Sequence, residues 1–152
     1  MKSRTRARSL ALQVLYEVDI AQHPAAEVYA LRLEDTPLTD ELAEFARQIV
    51  FGVLSLTVSL DHAIERYAPE WPFDQIAAID RNILRIACWE FAVKRETPVK
   101  VAINEAVELA KMFGSDSTPR FVNGVLGSLA EHQYEVIQQL KQAQTASPST
   151  IG

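Results

Sequence analysis

Apolar residues recur at intervals of three and four along most of the chain, which is the spacing of amphipathic α-helices. The first such segment covers about residues 4–21, and its apolar stripe consists of Ala7, Ala11, Val14, Leu15 and Val18. His23-Pro24 ends the pattern, and a short helix is predicted over about 25–33. Strand-like alternation is absent from the sequence, so we expect an all-α fold.

The middle of the chain carries a longer helical pattern. It begins at a cap formed by Thr39 or Asp40 and continues to about Ala68, with a bend expected near Gly52. Pro69 and Pro72 interrupt it. The loop that holds these prolines is predicted to separate two packed helical halves.

Four further helices follow in the second half of the chain. They are predicted from about Asp80, after Thr97-Pro98, after Thr118-Pro119 and over about 133–142. Asn123-Gly124 lowers helix propensity by roughly 1 kcal/mol, which predicts a close backbone crossing at that point. The sequence therefore predicts a compact bundle of about seven helices over residues 1–144 and a disordered tail over 145–152.

Composition excludes several classes of protein. The chain has 152 residues, 48% of them hydrophobic, which is enough to bury a core in one domain. Its one cysteine, Cys88, cannot form an internal disulfide, so a secreted disulfide scaffold is excluded. No apolar run approaches the roughly 18–20 residues that span a bilayer. We expect a cytoplasmic protein that does not bind a membrane.

The net charge of −5 conceals a strong asymmetry. Four cations lie in the first eight residues: Lys2, Arg4, Arg6 and Arg8. The remaining 11 Lys and Arg face all 20 Asp and Glu, which leaves the rest of the chain at −9. Arginine donors suit phosphate, and Tyr16 lies off the apolar stripe about 15 Å beyond Arg6. The charge alone leaves three interpretations of this arm open: nucleic-acid binding, an acidic protein partner, or a solvated terminus that binds nothing.

Signatures of catalysis are missing from the sequence. His23, His62 and His132 share no metal-ligand spacing with one another or with Cys88. A glycine-rich phosphate loop and a G-x-S-x-G elbow are also absent. We therefore expect a binding protein that is not an enzyme and holds no metal or cofactor.

Three segments resemble the NusB transcription antitermination family. Residues 80–90, DRNILRIACWE, resemble that family's ERAILRIALYE helix, and residues 98–111, PVKVAINEAVELAK, resemble its P-x-x-V-x-INEAVELAK segment. Phe113-Gly114 followed by FVNGVL at 121–126 is similar to its FG…FVNGVLD. An arginine-rich first helix that ends in Leu-Tyr also matches. The segments occur in the family's order and cover most of the chain.

The resemblance implies an all-α fold of two helical halves and RNA binding without catalysis. NusB proteins recognise a single-stranded boxA element together with NusE, a ribosomal small-subunit protein. With NusA, NusG and RNA polymerase they suppress termination, chiefly on ribosomal RNA operons. The acidic remainder of this chain would suit a basic partner such as NusE. A homodimer, and a NusB-like protein-interaction module without an RNA role, stay open as alternatives.

The resemblance also implies a set of RNA contacts. Carried over by motif, they are Lys2, Arg4, Arg6, Arg8, Tyr16, Asp80, Arg85, Phe113 and Phe121. Arg85 could instead form an ion pair, and either phenylalanine could lie in the core. Two positions depart from the family pattern, because Gly127 and Ser117 stand where other members have acids. Asp116, next to Ser117, is a possible substitute.

Overall fold

The computed structural model describes residues 2–146, and within them every regular element is helical. The α-helices are α1 (Ser3–Ala21), α2 (Ala25–Asp35), α3 (Asp40–Ser55), α4 (Thr57–Tyr67), α5 (Ala78–Cys88), α6 (Val99–Phe113), α7 (Thr118–Glu131) and α8 (Gln133–Ala146). A 3₁₀ turn covers Phe73–Gln75, and a π-helical segment, Trp89–Lys94, continues α5. The all-α prediction is confirmed, with eight α-helices in the described range where about seven were expected.

Helix α1 lies at the centre of the molecule. It packs against α2, α3, α5 and α6. The predicted stripe residues Ala7, Ala11 and Val14 are fully buried. Leu10 and Leu12, which lie outside that stripe, are buried as well, because α1 is covered on several sides. The prediction of a single apolar stripe therefore underestimated the number of α1 residues that are buried in the core.

The long middle helix is bent, as expected, but the bend lies four residues beyond Gly52 and divides it into two helices. The chain breaks at Leu56, and α4 turns 76° away from α3. Gly52, where a bend was expected, stays inside α3. From the break onward α4 packs against α5, α7 and α8, and the division into halves at the Pro69–Pro72 loop stays a prediction. The hydroxyls of Ser55 and Thr57 donate to carbonyls of the last turn of α3, which favours this ending.

Among residues 2–146 no single helix is long and apolar enough to cross a membrane. Helices α3 and α4 would qualify together by length and composition, although they are sharply bent at the break between them.

Gly52 has a packing role, which predicts the effect of filling its position. A Cβ built there would lie 2.4 Å from the indole ring of Trp89, which is 6% exposed. Gly52→Ala should therefore lower the free energy of unfolding by about 1–3 kcal/mol in urea denaturation, the usual cost of overpacking. Gly127→Ala is the matched control, because a Cβ at Gly127 meets open space. Equal stability of the two variants would contradict this packing role.

At two of the predicted helix starts, the threonine beside the proline does not cap the helix. Thr97 does not cap α6, since its hydroxyl donates to Glu90 at 3.0 Å and Pro98 occupies the capping position. Thr118 is the first residue of α7. Its hydroxyl accepts from the backbone N–H of Ser115 and donates to Asp80 at 3.1 Å. Both threonines thus join helices instead of capping them.

The end of the domain lies beyond the predicted boundary at residue 144. Helix α8 continues through Ala146, so residues 145 and 146 belong to it and not to a tail. Residues 147–152 lie outside the described part of the chain, and their disorder stays a prediction.

Candidate functional site

The basic arm divides into cations that face solvent and cations that contact the protein. At about 100° per residue, Arg6 and Tyr16 lie about 80° apart around α1, and Lys2 is the capping residue just before α1. Lys2 and Arg6 are exposed and Tyr16 is half-buried, and we call these three accessible residues the α1 strip. Lys2 also lines a groove with Glu105 and Glu108 of α6. Arg6 also shares a groove with Arg32 of α2, which adds a second cation beside it.

Arg8 was expected to contact RNA, and the structure corrects this. Its guanidinium is buried and donates to both oxygens of Glu90, at 2.8 and 2.7 Å, and to Glu105 at 3.2 Å. Burial alone would lower the pKa of Arg8, but these two carboxylates outweigh burial and raise it. Each guanidinium nitrogen is already engaged, so Arg8 cannot receive a phosphate. It fastens α1 to the π-helical segment and to α6.

Arg4 is exposed and lines one groove with Lys2 and another with Phe45. Its guanidinium lies 4.5 Å from the centre of the Phe45 ring, a cation–π contact. The groove around it is also lined by Glu41, Glu44 and Glu96. These carboxylates disfavour a phosphate at this position, as Glu105 and Glu108 do beside Lys2, so Arg6 is the strongest candidate among the exposed arm cations.

Arg85 is likewise part of an internal network. Its Nε and Nη2 donate to the two carboxylate oxygens of Asp61 at 2.8 Å each, and its Nη1 donates to Asp19 and Asn82. Arg81 also donates to Asp19, at 2.7 Å. The network joins the end of α1 to α4 and α5. Arg85 is 8% exposed, so the predicted RNA contact is corrected to a structural ion pair.

The same network predicts a pH dependence of stability. Burial would raise the pKa of Asp19, but hydrogen bonds from Arg81 and Asn82 and the charge of Arg85 lower it overall. A carboxylate whose pKa is lower in the folded state than in the unfolded state stabilises the fold. This stabilisation is fully present above the unfolded-state pKa of about 3.9. It is lost as the pH falls through the folded-state pKa. Asp19→Asn should therefore differ most from wild type near pH 7, and the difference should shrink below about pH 4.

Urea denaturation between pH 3 and 7 checks this, with Glu27→Gln as the control because Glu27 is an exposed carboxylate. A difference between Asp19→Asn and wild type that stays constant with pH would contradict the assignment.

Asp80 lies at the far end of the α1 strip. Helix α1 runs antiparallel to α5, since Arg8 pairs with Glu90 near one end and Asp19 with Arg81 near the other. The C-terminal end of α1 therefore lies beside the start of α5. Burial raises the pKa of Asp80, and the hydrogen bond from Thr118 only partly offsets that effect.

The two predicted phenylalanines also lie near Asp80. The hydrogen bond between Thr118 and Asp80 brings the start of α7, which carries Phe121, against the start of α5. Phe121 is half-buried and meets Trp71 edge to face, with ring centres 6.2 Å apart. Phe113, at the end of α6, is also half-buried and packs against the core. The core alternative for Phe113 is therefore favoured, while Phe121 offers an accessible ring.

Several residues near Asp80 and Phe121 were not predicted from the sequence. Trp71, Gln75 and Arg120 line one groove together with Asp80 and Phe121. Trp71 and Gln75 come from an irregular loop whose path helical periodicity does not describe. Arg120 could have been predicted from the sequence, because it directly precedes the FVNGVL motif. Ser117 lines the same groove, and Asp116 beside it is exposed.

Comparison with known proteins gives a consistent result. The NusB family model matches residues 5–131. Transcription antitermination protein NusB of Roseiflexus castenholzii is 47% identical over 134 residues, covering 87% of this chain and 94% of that protein. The NusB structure of T. maritima is 27% identical with a TM-score of 0.77, covering 88% and 98% of the two chains. A crystal structure of the antitermination factors NusB and NusE with double-stranded RNA shares the fold, with a TM-score of 0.78 at 24% identity and coverage of 87% and 98%.

Proposed function

The chain belongs to the NusB family of transcription antitermination proteins, and on that premise we propose that it binds boxA-type single-stranded RNA together with NusE. The observation that carries the RNA part of this proposal is the α1 strip. Lys2 and Arg6 are exposed at the start of α1, Tyr16 lies further along the helix, and the end of α1 lies beside the start of α5, which contacts the start of α7. Cations at one end and accessible rings at the other suit a single strand with unstacked bases.

Each residue of this surface has a distinct role in the proposal. Lys2 and Arg6 bind phosphates and thereby position the strand. Tyr16 and Phe121 stack on bases, and Asp80 accepts a hydrogen bond from a base amino group. Phe113 supports this end from the core side.

The acidic remainder supports a basic protein partner, which in the proposal is NusE. Not every acid is available for that partner, because Glu90 and Glu105 hold Arg8 inside the fold. Exposed acids such as Glu96 and Glu108 remain accessible. The complex then joins NusA, NusG and RNA polymerase in the cytoplasm and suppresses termination on ribosomal RNA operons, and the chain acts by binding and not by catalysis.

A titration of labelled boxA RNA tests the proposal. The chain, NusE and their mixture are each titrated against boxA RNA and against a scrambled RNA of equal length. We expect the mixture to bind boxA RNA more tightly than either protein alone and more tightly than the scrambled strand. Equal binding of both strands, or capture of NusE without any RNA binding, would overturn the RNA part and leave a protein-interaction module.

A further inference from the structure

A groove of about 500 Å³ lies between the loop before α5 and the start of α7. We call it the Trp71 groove after the largest of its side chains. Its walls are formed mainly by Trp71, Ile76 and Phe121, and its polar groups come from Gln75, Asp80, Ser117 and Arg120. The volume falls within the range of small-ligand sites, which runs from about 300 to 1,000 Å³.

Trp71 is held in place without being buried. Its ring meets Phe121 edge to face at an angle of 83°, and its other neighbour is Gly124. A Cβ at Gly124 would lie 3.5 Å from the indole, which is an ordinary contact distance. The expected close backbone crossing at Gly124 is therefore wrong, because the neighbour is this ring. A fixed and half-exposed indole is a ready stacking platform.

The polar groups around the groove match the chemistry of a nucleotide. Arg120 is exposed and forms no ion pair among residues 2–146, so its guanidinium is available for a phosphate. Asp80 uses Oδ1 to accept from Thr118, and within the described range its Oδ2 accepts no hydrogen bond. A carboxylate oxygen that faces a groove accepts well from an exocyclic amino group, as in contacts with cytosine N4.

We propose that the Trp71 groove binds one unstacked base that carries an exocyclic amino group, with Trp71 as its stacking platform and Asp80 as its acceptor. The inference rests on the proposed RNA binding and adds Trp71, Gln75 and Arg120 to its surface. Three observations favour a nucleotide over a peptide. Arg81 joins Asp19 at the end of α1 to the carbonyl of Ile76 in the groove wall. The groove also combines a cation with an acceptor, and aromatic rings form part of its wall.

Trp71→Leu tests the platform, because it removes the ring and keeps an apolar side chain. Loss of base–aromatic stacking should weaken boxA RNA binding roughly 5- to 150-fold. Trp71→Phe should restore most of the affinity, since it restores an aromatic face. Tyr134→Leu is the control, because Tyr134 is 71% exposed on α8 and lies outside the groove. The unfolding midpoint of each variant is measured in parallel to show that it is folded.

A second readout separates stacking from a structural role of Trp71. The amino-bearing bases of the RNA are replaced one at a time with fluorescent 2-aminopurine, whose emission falls on stacking. One position should be quenched on binding to wild type and not to folded Trp71→Leu, and uridine at that position should weaken binding to wild type.

The possible outcomes are distinct. If wild type binds no RNA, the proposed function fails and this inference fails with it. If wild type and Trp71→Leu bind RNA equally, or uridine is tolerated at every position, only the groove assignment is overturned. If Trp71→Leu loses NusE capture but keeps RNA affinity, the groove is a protein contact and the inference is wrong.

Discussion

Replacing Arg8 with methionine is expected to lower the free energy of unfolding by about 3–5 kcal/mol, the usual cost of breaking a buried ion pair. Methionine keeps much of the volume of arginine but leaves the carboxylate of Glu90, which is 2% exposed, without its charge partner. Of the hydrogen bonds that the Glu90 carboxylate accepts within residues 2–146, only the one from Thr97 would remain. Urea denaturation at pH 7 measures the effect.

Arg4→Met is the matched control for this prediction. Arg4 carries the same charge four residues earlier on the same helix, but it is exposed, so its loss should cost less than about 1 kcal/mol. The double variant Arg8→Met with Glu90→Leu should recover part of the lost stability, since it removes both charges. Equal stability of the two single arginine variants would contradict the buried pair. An Arg8 variant that loses RNA binding is therefore no evidence of a phosphate contact.

The double variant Lys2→Ala with Arg6→Ala is expected to weaken RNA binding in a salt-dependent way. Each phosphate contact on a single strand contributes about −0.7 to the slope of log affinity against log salt. Losing two contacts should make that slope shallower by about 1.4. When the salt concentration is lowered from 1 M to 0.1 M, RNA affinity rises, and this rise should be about 25-fold smaller for the double variant than for wild type. The stability of the fold should be unchanged, because both side chains are exposed.

Arg4→Ala combined with Lys94→Ala serves as the control for this slope, because both cations line the acidic groove around Phe45. It removes the same amount of positive charge from that groove and leaves Lys2 and Arg6 in place. The α1 strip would lose its assigned role if the two double variants changed the slope equally, or if neither changed it.

The helices could be predicted from the spacing of apolar residues, because a helix that buries one face has apolar residues at every third or fourth position of its sequence. The bounds of α1 and α2 were therefore predicted to within about two residues. The break at Leu56 does not alter this spacing, since the apolar pattern continues through it. The π-helical segment was missed for the same reason. Its backbone N–H at Arg95 donates to the carbonyl of Glu90, five residues back.

The candidate site was predictable only in part, because the sequence shows a charge but not its partner. Lys2 and Arg6 were correctly placed on the exposed side of α1. Arg8 looked similar to them, yet its partners lie 82 and 97 residues further along the chain, at Glu90 and Glu105. Charge partners that only the tertiary fold brings together leave no local signal.

Photo-crosslinking of a thiouridine-substituted boxA RNA to the chain bound to NusE locates the RNA on the protein surface. The crosslinked peptides are identified by mass spectrometry. We expect crosslinks at Tyr16 on the α1 strip and at Trp71 or Phe121. Crosslinks concentrated on α4 or α8, for example at the exposed Tyr134, with none on α1, would show that the RNA binds a different surface.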